Sequence, residues 1–92
     1  MIPRLESAEY VGGHAIRFRF ADGTEGVVDL EDELWGEVFE PLRDTAIFRN
    51  FRLDIELNTV NWSTGADFAP EFLYEKTAAQ QAGAPDSPSG RL

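Results

Sequence analysis

The sequence contains no cysteine and a single histidine, and these two shortages exclude several kinds of chemistry. Without cysteine the chain has no disulfide framework, no thiolate metal site and no thiol nucleophile. His14 has neither a cysteine nor a second histidine to complete a metal set, so we expect a surface or strand-end histidine. Ser63 and Thr64 lie outside any Gly-x-Ser-x-Gly elbow and have no base beyond His14. We therefore expect no enzymatic activity and no cofactor.

Basic side chains are also scarce, because eight Lys and Arg stand against 17 Asp and Glu and give a formal net charge of -9. Nucleic-acid phosphates are bound by clusters of basic residues, whereas the arginines here are scattered among more numerous carboxylates. We expect no direct binding of nucleic acid and favour a small basic protein as the partner. The acidic run 29–33 lacks the ligand spacing and central glycine of an EF-hand loop, so it predicts a solvated segment rather than a cation site.

Long apolar runs are missing as well. No stretch approaches the roughly 20 apolar residues that cross a bilayer, and the first residues lack the apolar run of a signal peptide. These features predict a cytoplasmic protein without membrane contact.

The 92 residues, seven of them Phe, suit one small folded domain, which we place at residues 1–82. The composition of residues 83–92 predicts a disordered tail, and the sequence leaves open whether the chain forms homo-oligomers.

Alternating apolar and charged residues over 16–20 give the clearest strand signal, and a weaker alternation over 4–11 suggests a strand before it. Side chains alternate between the two faces of a strand, and this parity determines the length of the turn that follows. A two-residue turn would bring acidic side chains onto the apolar face, whereas a three-residue loop over 21–23 aligns Phe18 with Gly26. We predict the three-residue loop, with Gly23 in the left-handed region.

A second hairpin is predicted over residues 53–62. If Asn58 and Thr59 form a two-residue turn, Leu57 falls opposite Val60 and Ile55 falls opposite Trp62. One face of this hairpin would then be apolar. Its members are Leu53, Ile55, Leu57, Val60 and Trp62.

Helical spacing of three and four residues appears over 34–42, where Asp32 is the expected N-cap and Pro41 limits the helix. The apolar residues of that face are Leu34, Trp35, Val38, Phe39 and Leu42. Asp44 or Thr45 is expected to cap a second short helix, and the last helix is expected to start at Pro70 and fray near residue 83.

The loop that follows the second hairpin holds most of the candidate interaction residues. They are Trp62, Ser63, Thr64, Gly65 and Asp67, together with Tyr74 on the last helix. The preferred interpretation is structural: Trp62 in the core, Gly65 in a left-handed turn, and Asp67 accepting hydrogen bonds from backbone amides. The alternative is a recognition surface.

Several segments together resemble a bacterial family known as domain of unknown function 2442, over most of residues 3–76. They are Phe20-Ala21-Asp22-Gly23, Gly26-Val27-Val28-Asp29-Leu30, Gly36-Glu37-Val38-Phe39-Glu40-Pro41-Leu42-Arg43-Asp44, Phe48, Trp62-Ser63-Thr64-Gly65-Ala66-Asp67, Pro70-Glu71 and Leu73-Tyr74. Ala69 departs from the acidic residue usual before the proline, and should cost the last helix its side-chain cap.

The resemblance implies an α+β fold without assigned catalysis, which we expect to consist of antiparallel β-hairpins packed against two or three short helices. Some relatives resemble fusions to a helix-turn-helix DNA-binding domain, but the matching segments include no such domain. Other relatives are encoded beside a second small protein, in pairs of toxin–antitoxin appearance.

Two functional hypotheses follow. The first is a small acidic, non-enzymatic protein-interaction module, antitoxin-like, that binds a small basic protein encoded nearby. The alternative is a ligand-sensing or transcription-regulatory domain, which requires a pocket near the 62–67 loop. A concave apolar pocket with convergent polar groups would favour sensing, whereas a flat acidic face with exposed aromatic side chains would favour protein binding.

Overall fold

The computed structural model describes residues 1–83 and has the α+β fold predicted from the sequence. Strands β1, β2 and β3 form one antiparallel sheet in that order, and β4 and β5 form a second antiparallel pair. The elements are β1 (Leu5–Gly12), β2 (Ala15–Phe20), β3 (Glu25–Asp29), 3₁₀ turns at Glu31–Glu33 and Glu40–Arg43, α1 (Thr45–Phe48), β4 (Arg52–Asp54), β5 (Thr59–Asn61) and α2 (Pro70–Gly83). From residue 84 onward the predicted tail lies outside the described residues.

The β2–β3 hairpin has the predicted three-residue loop. Phe18 is paired with Gly26, as the parity argument requires, and Gly23 has φ of 92°. The Phe20 amide donates to the Thr24 carbonyl oxygen at 2.8 Å, so pairing resumes directly after the loop. The charged residues of β2 and β3 consequently face solvent, and the large apolar ones face the core.

Helix α2 crosses β3 at Gly26, where the missing side chain allows the helix to approach the strand closely. A Cβ atom at that position would lie 3.1 Å from the Thr77 carbonyl oxygen and 3.1 Å from Gln80 Cβ. Thr77 is itself buried, and its hydroxyl donates to the Leu73 carbonyl oxygen at 2.7 Å. The close approach lets α2 cover the sheet and seal the core.

The core contains apolar side chains from both sheets, from the loops and from α2. Its buried members are Leu5, Ile16, Phe18, Phe20, Val28, Leu30, Leu34, Leu42, Phe48, Val60, Trp62, Ala66, Phe68 and Leu73.

The predicted two-residue turn of the second hairpin is wrong. Leu53 rather than Leu57 is paired with Val60, so residues 55–58 form the loop. The Asp54 carboxylate fixes this longer loop, because one of its oxygens accepts hydrogen bonds from the amides of residues 56 and 57 at 3.0 Å each. As a result Ile55 is 71% exposed and Leu57 is 54% exposed instead of buried.

Asn58 has the positive φ expected of it, at 59°, but its side chain serves a different purpose from a simple turn. Its amide oxygen accepts a hydrogen bond from the Leu5 amide at 2.7 Å, and its amide nitrogen donates to the Pro3 carbonyl oxygen at 3.0 Å. These two bonds connect the β4–β5 loop to the start of β1. Rules for the turn of a single hairpin do not consider such contacts with a distant strand.

The predicted helix over 34–42 is also wrong. Residues 34–39 form a non-helical connection between the 3₁₀ turns Glu31–Glu33 and Glu40–Arg43, and Gly36 within it has a φ of 92° that is incompatible with a continuous helix. Asp32, the expected cap, lies inside the first 3₁₀ turn, which has Leu30 at its N-cap position and no side-chain cap. The Asp29 carboxylate accepts a hydrogen bond from the Glu31 amide at 2.9 Å just before that turn. Trp35 and Val38 therefore point away from the core and are 70% and 52% exposed.

The two remaining helices agree with the prediction. The Asp44 carboxylate caps α1 by accepting a hydrogen bond from the Ala46 amide at 2.9 Å, and Phe48 of this helix is buried. Helix α2 starts at Pro70, where the missing amide hydrogen of proline has no cost.

Candidate functional site

The loop between β5 and α2 is built around the buried indole of Trp62. This side chain is 4% exposed, and its Nε1–H donates to the Phe48 carbonyl oxygen at 2.7 Å. Its ring packs against those of Phe48, Phe51 and Phe68, with centroid distances of 5.6, 6.2 and 5.9 Å. Trp62 thus has the expected structural role, with both its apolar surface and its single donor satisfied.

Backbone hydrogen bonds close the loop tightly. The Trp62 amide donates to the Ala66 carbonyl oxygen at 3.0 Å, and the Gly65 amide donates to the Trp62 carbonyl oxygen at 2.9 Å. Gly65 has the expected left-handed conformation, with φ of 97°. Ser63 and Thr64 are exposed at the tip of the loop.

Asp67 departs from its expected role. Among residues 1–83 no backbone amide donates to its carboxylate, and the side chain is exposed. Instead its backbone forms a single antiparallel bridge with Asn61, the β5 residue that also pairs with Arg52 of β4. The Asp67 carboxylate is therefore available to solvent and to binding partners.

A small polar hollow of about 260 Å³ lies beside this loop. Its lining residues are Arg52, Asn61, Trp62, Ser63, Gly65 and Asp67. The Asn61 side chain already donates to Asp54 at 3.0 Å. Small-molecule sites are usually larger, from about 300 Å³ upward, and mostly apolar. The hollow thus lacks the apolar enclosure that a ligand-sensing pocket would need.

Tyr74 has a different role from the other candidate residues, because its contacts are with the β2–β3 hairpin. Its hydroxyl donates to the Asp22 carboxylate at 2.5 Å and accepts a hydrogen bond from the Thr24 hydroxyl at 3.4 Å. Its ring meets Phe20 edge-on, with the centroids 5.0 Å apart. Tyr74 therefore fastens α2 to the β2–β3 loop rather than contributing to the 62–67 loop.

The contact with Tyr74 lowers the pKa of the Asp22 carboxyl group. The hydrogen bond from Tyr74, followed by that from the Thr24 amide at 2.9 Å, holds the pKa of the Asp22 carboxyl below its usual value. Both donors stabilise the ionised form. The loop is therefore bound to α2 through a charge-assisted hydrogen bond.

His14 is bonded to the backbone of the second 3₁₀ turn. Its Nε2 lies 3.0 Å from the carbonyl oxygens of both Leu42 and Arg43. Carbonyl oxygens only accept, so Nε2 carries the hydrogen in these bonds. The imidazole also meets the Phe48 ring edge-on at 5.0 Å. His14 therefore links the β1–β2 turn to residues 42–43, which is a structural role.

An aromatic surface that the sequence did not predict lies where the 31–39 segment meets the start of α2. We call it the aromatic face, and it consists of Trp35, Phe39, Phe68 and Phe72. The rings of Phe39 and Phe68 are 5.0 Å apart, and those of Phe68 and Phe72 stack at 5.4 Å. These residues surround a hollow of about 320 Å³, which Glu33, Asp67 and Ala69 complete.

Charge around the aromatic face is mostly negative. Glu33 and Asp67 lie at the hollow itself, and further exposed carboxylates precede and follow Trp35 in the chain: Glu31, Asp32, Glu37 and Glu40. Lys76 and Arg43 are cations near this surface. Lys76 Nζ lies 3.6 Å from Glu33 Oε2 and 5.5 Å from the Phe72 ring centroid, and Arg43 lines a neighbouring hollow together with Trp35.

A sequence profile of the family described as protein of unknown function (DUF2442) matches residues 5–79. The chain belongs to this family. The DUF2442 match includes both the 62–67 loop and the aromatic face, and so agrees with the resemblance noted in the sequence. No curated protein and no solved structure matches the chain.

Among residues 1–83 no group of three or more His, Asp or Glu side chains is arranged to hold a metal ion. No helix in the same range is long and apolar enough to cross a membrane.

Sequence reasoning missed the aromatic face because it assigned Trp35 and Val38 to the buried side of a helix. The signal that could have corrected this was Gly36. A glycine directly after the tryptophan, with acidic residues on both sides, argues against a continuous amphipathic helix. The 62–67 loop was easier to find because its turn residues are consecutive in the sequence.

Proposed function

We propose that this chain is a small, non-enzymatic protein-interaction module that binds a basic protein through the aromatic face and its surrounding carboxylates. The observation that carries the proposal is the exposure of Trp35, 70% of which is accessible in a chain that buries Trp62 almost fully. Tryptophan is enriched among the residues that dominate binding energy at protein interfaces. An exposed indole beside three Phe rings therefore supports a binding role.

Charge supports the same proposal and specifies the partner. With a formal net charge of -9, the chain attracts positively charged proteins and repels nucleic acid. Glu33 and Asp67 line the same hollow as the aromatic rings, so we expect apolar contact and electrostatic attraction to act on the same partner surface. Such complementarity chiefly raises the association rate and the specificity.

The biological setting that fits is antitoxin-like. In this proposal the partner is a small basic protein encoded nearby, and the acidic chain covers the surface with which that protein would contact nucleic acid. Both proteins would meet in the cytoplasm. Support comes from the charge and from the family resemblance, in which some members form gene pairs of toxin–antitoxin appearance.

Co-purification with the products of adjacent genes tests the proposal first. A complex that forms should then associate more slowly as ionic strength rises past the point where the Debye length falls to about 8 Å, while its dissociation rate changes less. The absence of a complex with any neighbouring gene product, or an association rate that is independent of salt, would favour the ligand-sensing alternative.

A further inference from the structure

We propose that the hollow of the aromatic face receives the side chain of an arginine presented by the basic partner. This inference rests on the proposed function and adds to it the chemical group that is recognised. It assigns the aromatic rings of the face to contact with the flat guanidinium group, and the carboxylates of Glu33 and Asp67 to its hydrogen bonding.

The rings of the aromatic face that a partner can reach are those of Trp35, Phe39 and Phe72. Phe68 is buried and supports them from below, because it stacks on Phe72 with 16° between the ring planes and packs against Phe39 at 5.0 Å. The indole of Trp35 is the most exposed of the rings that line the hollow. Cations are attracted to the faces of aromatic rings, most strongly to tryptophan, and arginine is the usual donor of such contacts in proteins.

The carboxylates select a cation over a neutral apolar group. Glu33 and Asp67 both line the hollow, and they come from different parts of the chain. A guanidinium presents five N–H donors in one plane, so it can stack on a ring and donate to a carboxylate at the same time. An apolar side chain in the same place would bring these carboxylates against hydrocarbon without offering a hydrogen bond.

Lys76 provides independent evidence that the site suits a positive charge. Its ammonium already combines the two contacts proposed for the guanidinium, since it lies over the Phe72 ring and pairs with Glu33. The Lys76 side chain is 47% exposed. Exposed ion pairs of this kind are weak, so a partner's arginine can replace the lysine ammonium at Glu33 and at the ring.

The size of the hollow fits a side chain presented on a protein surface. At about 320 Å³ it lies at the lower limit of small-molecule sites, and it is bounded by the exposed Trp35 rather than enclosed in the core. The partner would therefore insert one residue, while its neighbouring basic residues contact the exposed carboxylates on the 31–40 segment.

Nuclear magnetic resonance titration of the full ¹⁵N-labelled chain tests this proposal without a known partner. The probe is N-acetyl-arginine amide, and the matched control is N-acetyl-citrulline amide, which has almost the same shape but no charge. The indole N–H resonance of Trp35 should shift on titration with the arginine probe, whereas that of buried Trp62 serves as the internal reference. Citrulline should bind at least about fivefold more weakly, because it loses both the cation–π and the ion-pair contributions.

Three variants of the chain sharpen the test. Trp35→Leu keeps an apolar side chain but removes the ring, so binding of the arginine probe, followed in this variant by the backbone amide resonances of residues 31–39, should weaken by about threefold or more. Lys76→Met removes the competing ammonium and should strengthen binding by about twofold to fivefold. Ile55→Ser, on the equally exposed β4–β5 loop, should leave the affinity unchanged. Equal affinities for arginine and citrulline, or full retention of binding in Trp35→Leu, would overturn the proposal.

The outcomes also separate this inference from the proposed function. If a basic partner binds the chain but the arginine probe neither shifts Trp35 nor competes with the partner, the arginine site is wrong and the interaction module stands. If the probe binds selectively but no neighbouring gene product forms a complex, the arginine site stands and the proposed function is contradicted in favour of the ligand-sensing alternative.

Discussion

The Tyr74 hydroxyl donates a 2.5 Å hydrogen bond to the Asp22 carboxylate and so joins α2 to a loop 52 residues earlier in the chain. Thr24 completes this contact, because its amide donates to the other Asp22 oxygen at 2.9 Å. The interaction anchors the end of the β2–β3 hairpin on α2. It explains why a residue placed among the candidate interaction residues by its sequence context has a structural role.

We expect Tyr74→Phe to lower the melting temperature, because it removes the hydroxyl and leaves the ring contact with Phe20. The same change should raise the pKa of Asp22 toward its usual value, since the Tyr74 hydrogen bond is the largest cause of the lowering. Carboxyl chemical shifts followed through an acid titration measure this pKa directly. An unchanged Asp22 titration in the variant would contradict the assigned contact.

The pH dependence of stability follows from the same shift. Since the folded pKa of Asp22 is lower than the unfolded one, its contribution is fully present above the ordinary aspartate pKa of about 3.9 and is lost as pH falls through the folded value. The stability difference between the wild type and Tyr74→Phe should therefore be larger at pH 7 than at pH 2. Denaturant titrations of both proteins at the two pH values provide the comparison.

Substitution by alanine should change the stability of the protein by very different amounts at the two tryptophans. Trp62→Ala should destabilise the fold by about 3–5 kcal/mol, because it removes a buried ring and leaves the Phe48 carbonyl oxygen without its donor. Trp35→Ala should change stability by no more than about 0.5 kcal/mol, since the indole is exposed. Chemical denaturation measures both values, and similar losses in the two variants would argue against the described burial.

Gly26→Val should destabilise the protein by about 1–3 kcal/mol. The reason is the approach of α2, which leaves 3.1 Å between a Cβ at this position and the Thr77 carbonyl oxygen. The adjacent and exposed Val27 offers a control, because Val27→Ala affects the same strand without meeting α2. A valine at position 26 that left stability unchanged would show that α2 packs differently.

The β4–β5 loop gives a prediction that separates the observed hairpin from the one expected from sequence. Ile55→Ala should cost less than about 0.5 kcal/mol because Ile55 lies on the exposed loop. Val60→Ala should cost more, about 1–3 kcal/mol, because Val60 is fully buried. Equal costs would support the two-residue turn, in which both side chains share the buried face.

The two hairpins differ in how far sequence could predict them, and the reason is physical. In the β2–β3 hairpin an incorrect loop length would bury charge, so parity alone determined the register. In the β4–β5 hairpin the register depends on Asp54 binding nearby amides and on Asn58 bonding to Pro3 and Leu5. Local pairing rules contain no information about such distant contacts.

The candidate site was predicted in part for similar reasons. The structural roles of Trp62 and Gly65 followed from a compact run of aromatic and turn residues, and the structure agrees with both. The aromatic face, in contrast, is assembled from the 31–39 segment and the start of α2. Gly36 has a positive φ directly after the exposed Trp35, so the chain turns there and does not continue as a helix with Trp35 on its buried side.

The affinity of the basic partner for two exposed-residue variants tests the central claim most directly. Trp35→Ala and Ile55→Ala remove apolar side chains that are 70% and 71% exposed, so their general effects on the surface are matched. With a partner obtained from an adjacent gene, Trp35→Ala should weaken binding by about tenfold or more, and Ile55→Ala should bind as the wild type does. A partner that binds Trp35→Ala with wild-type affinity would contradict the assignment of the aromatic face as the binding surface.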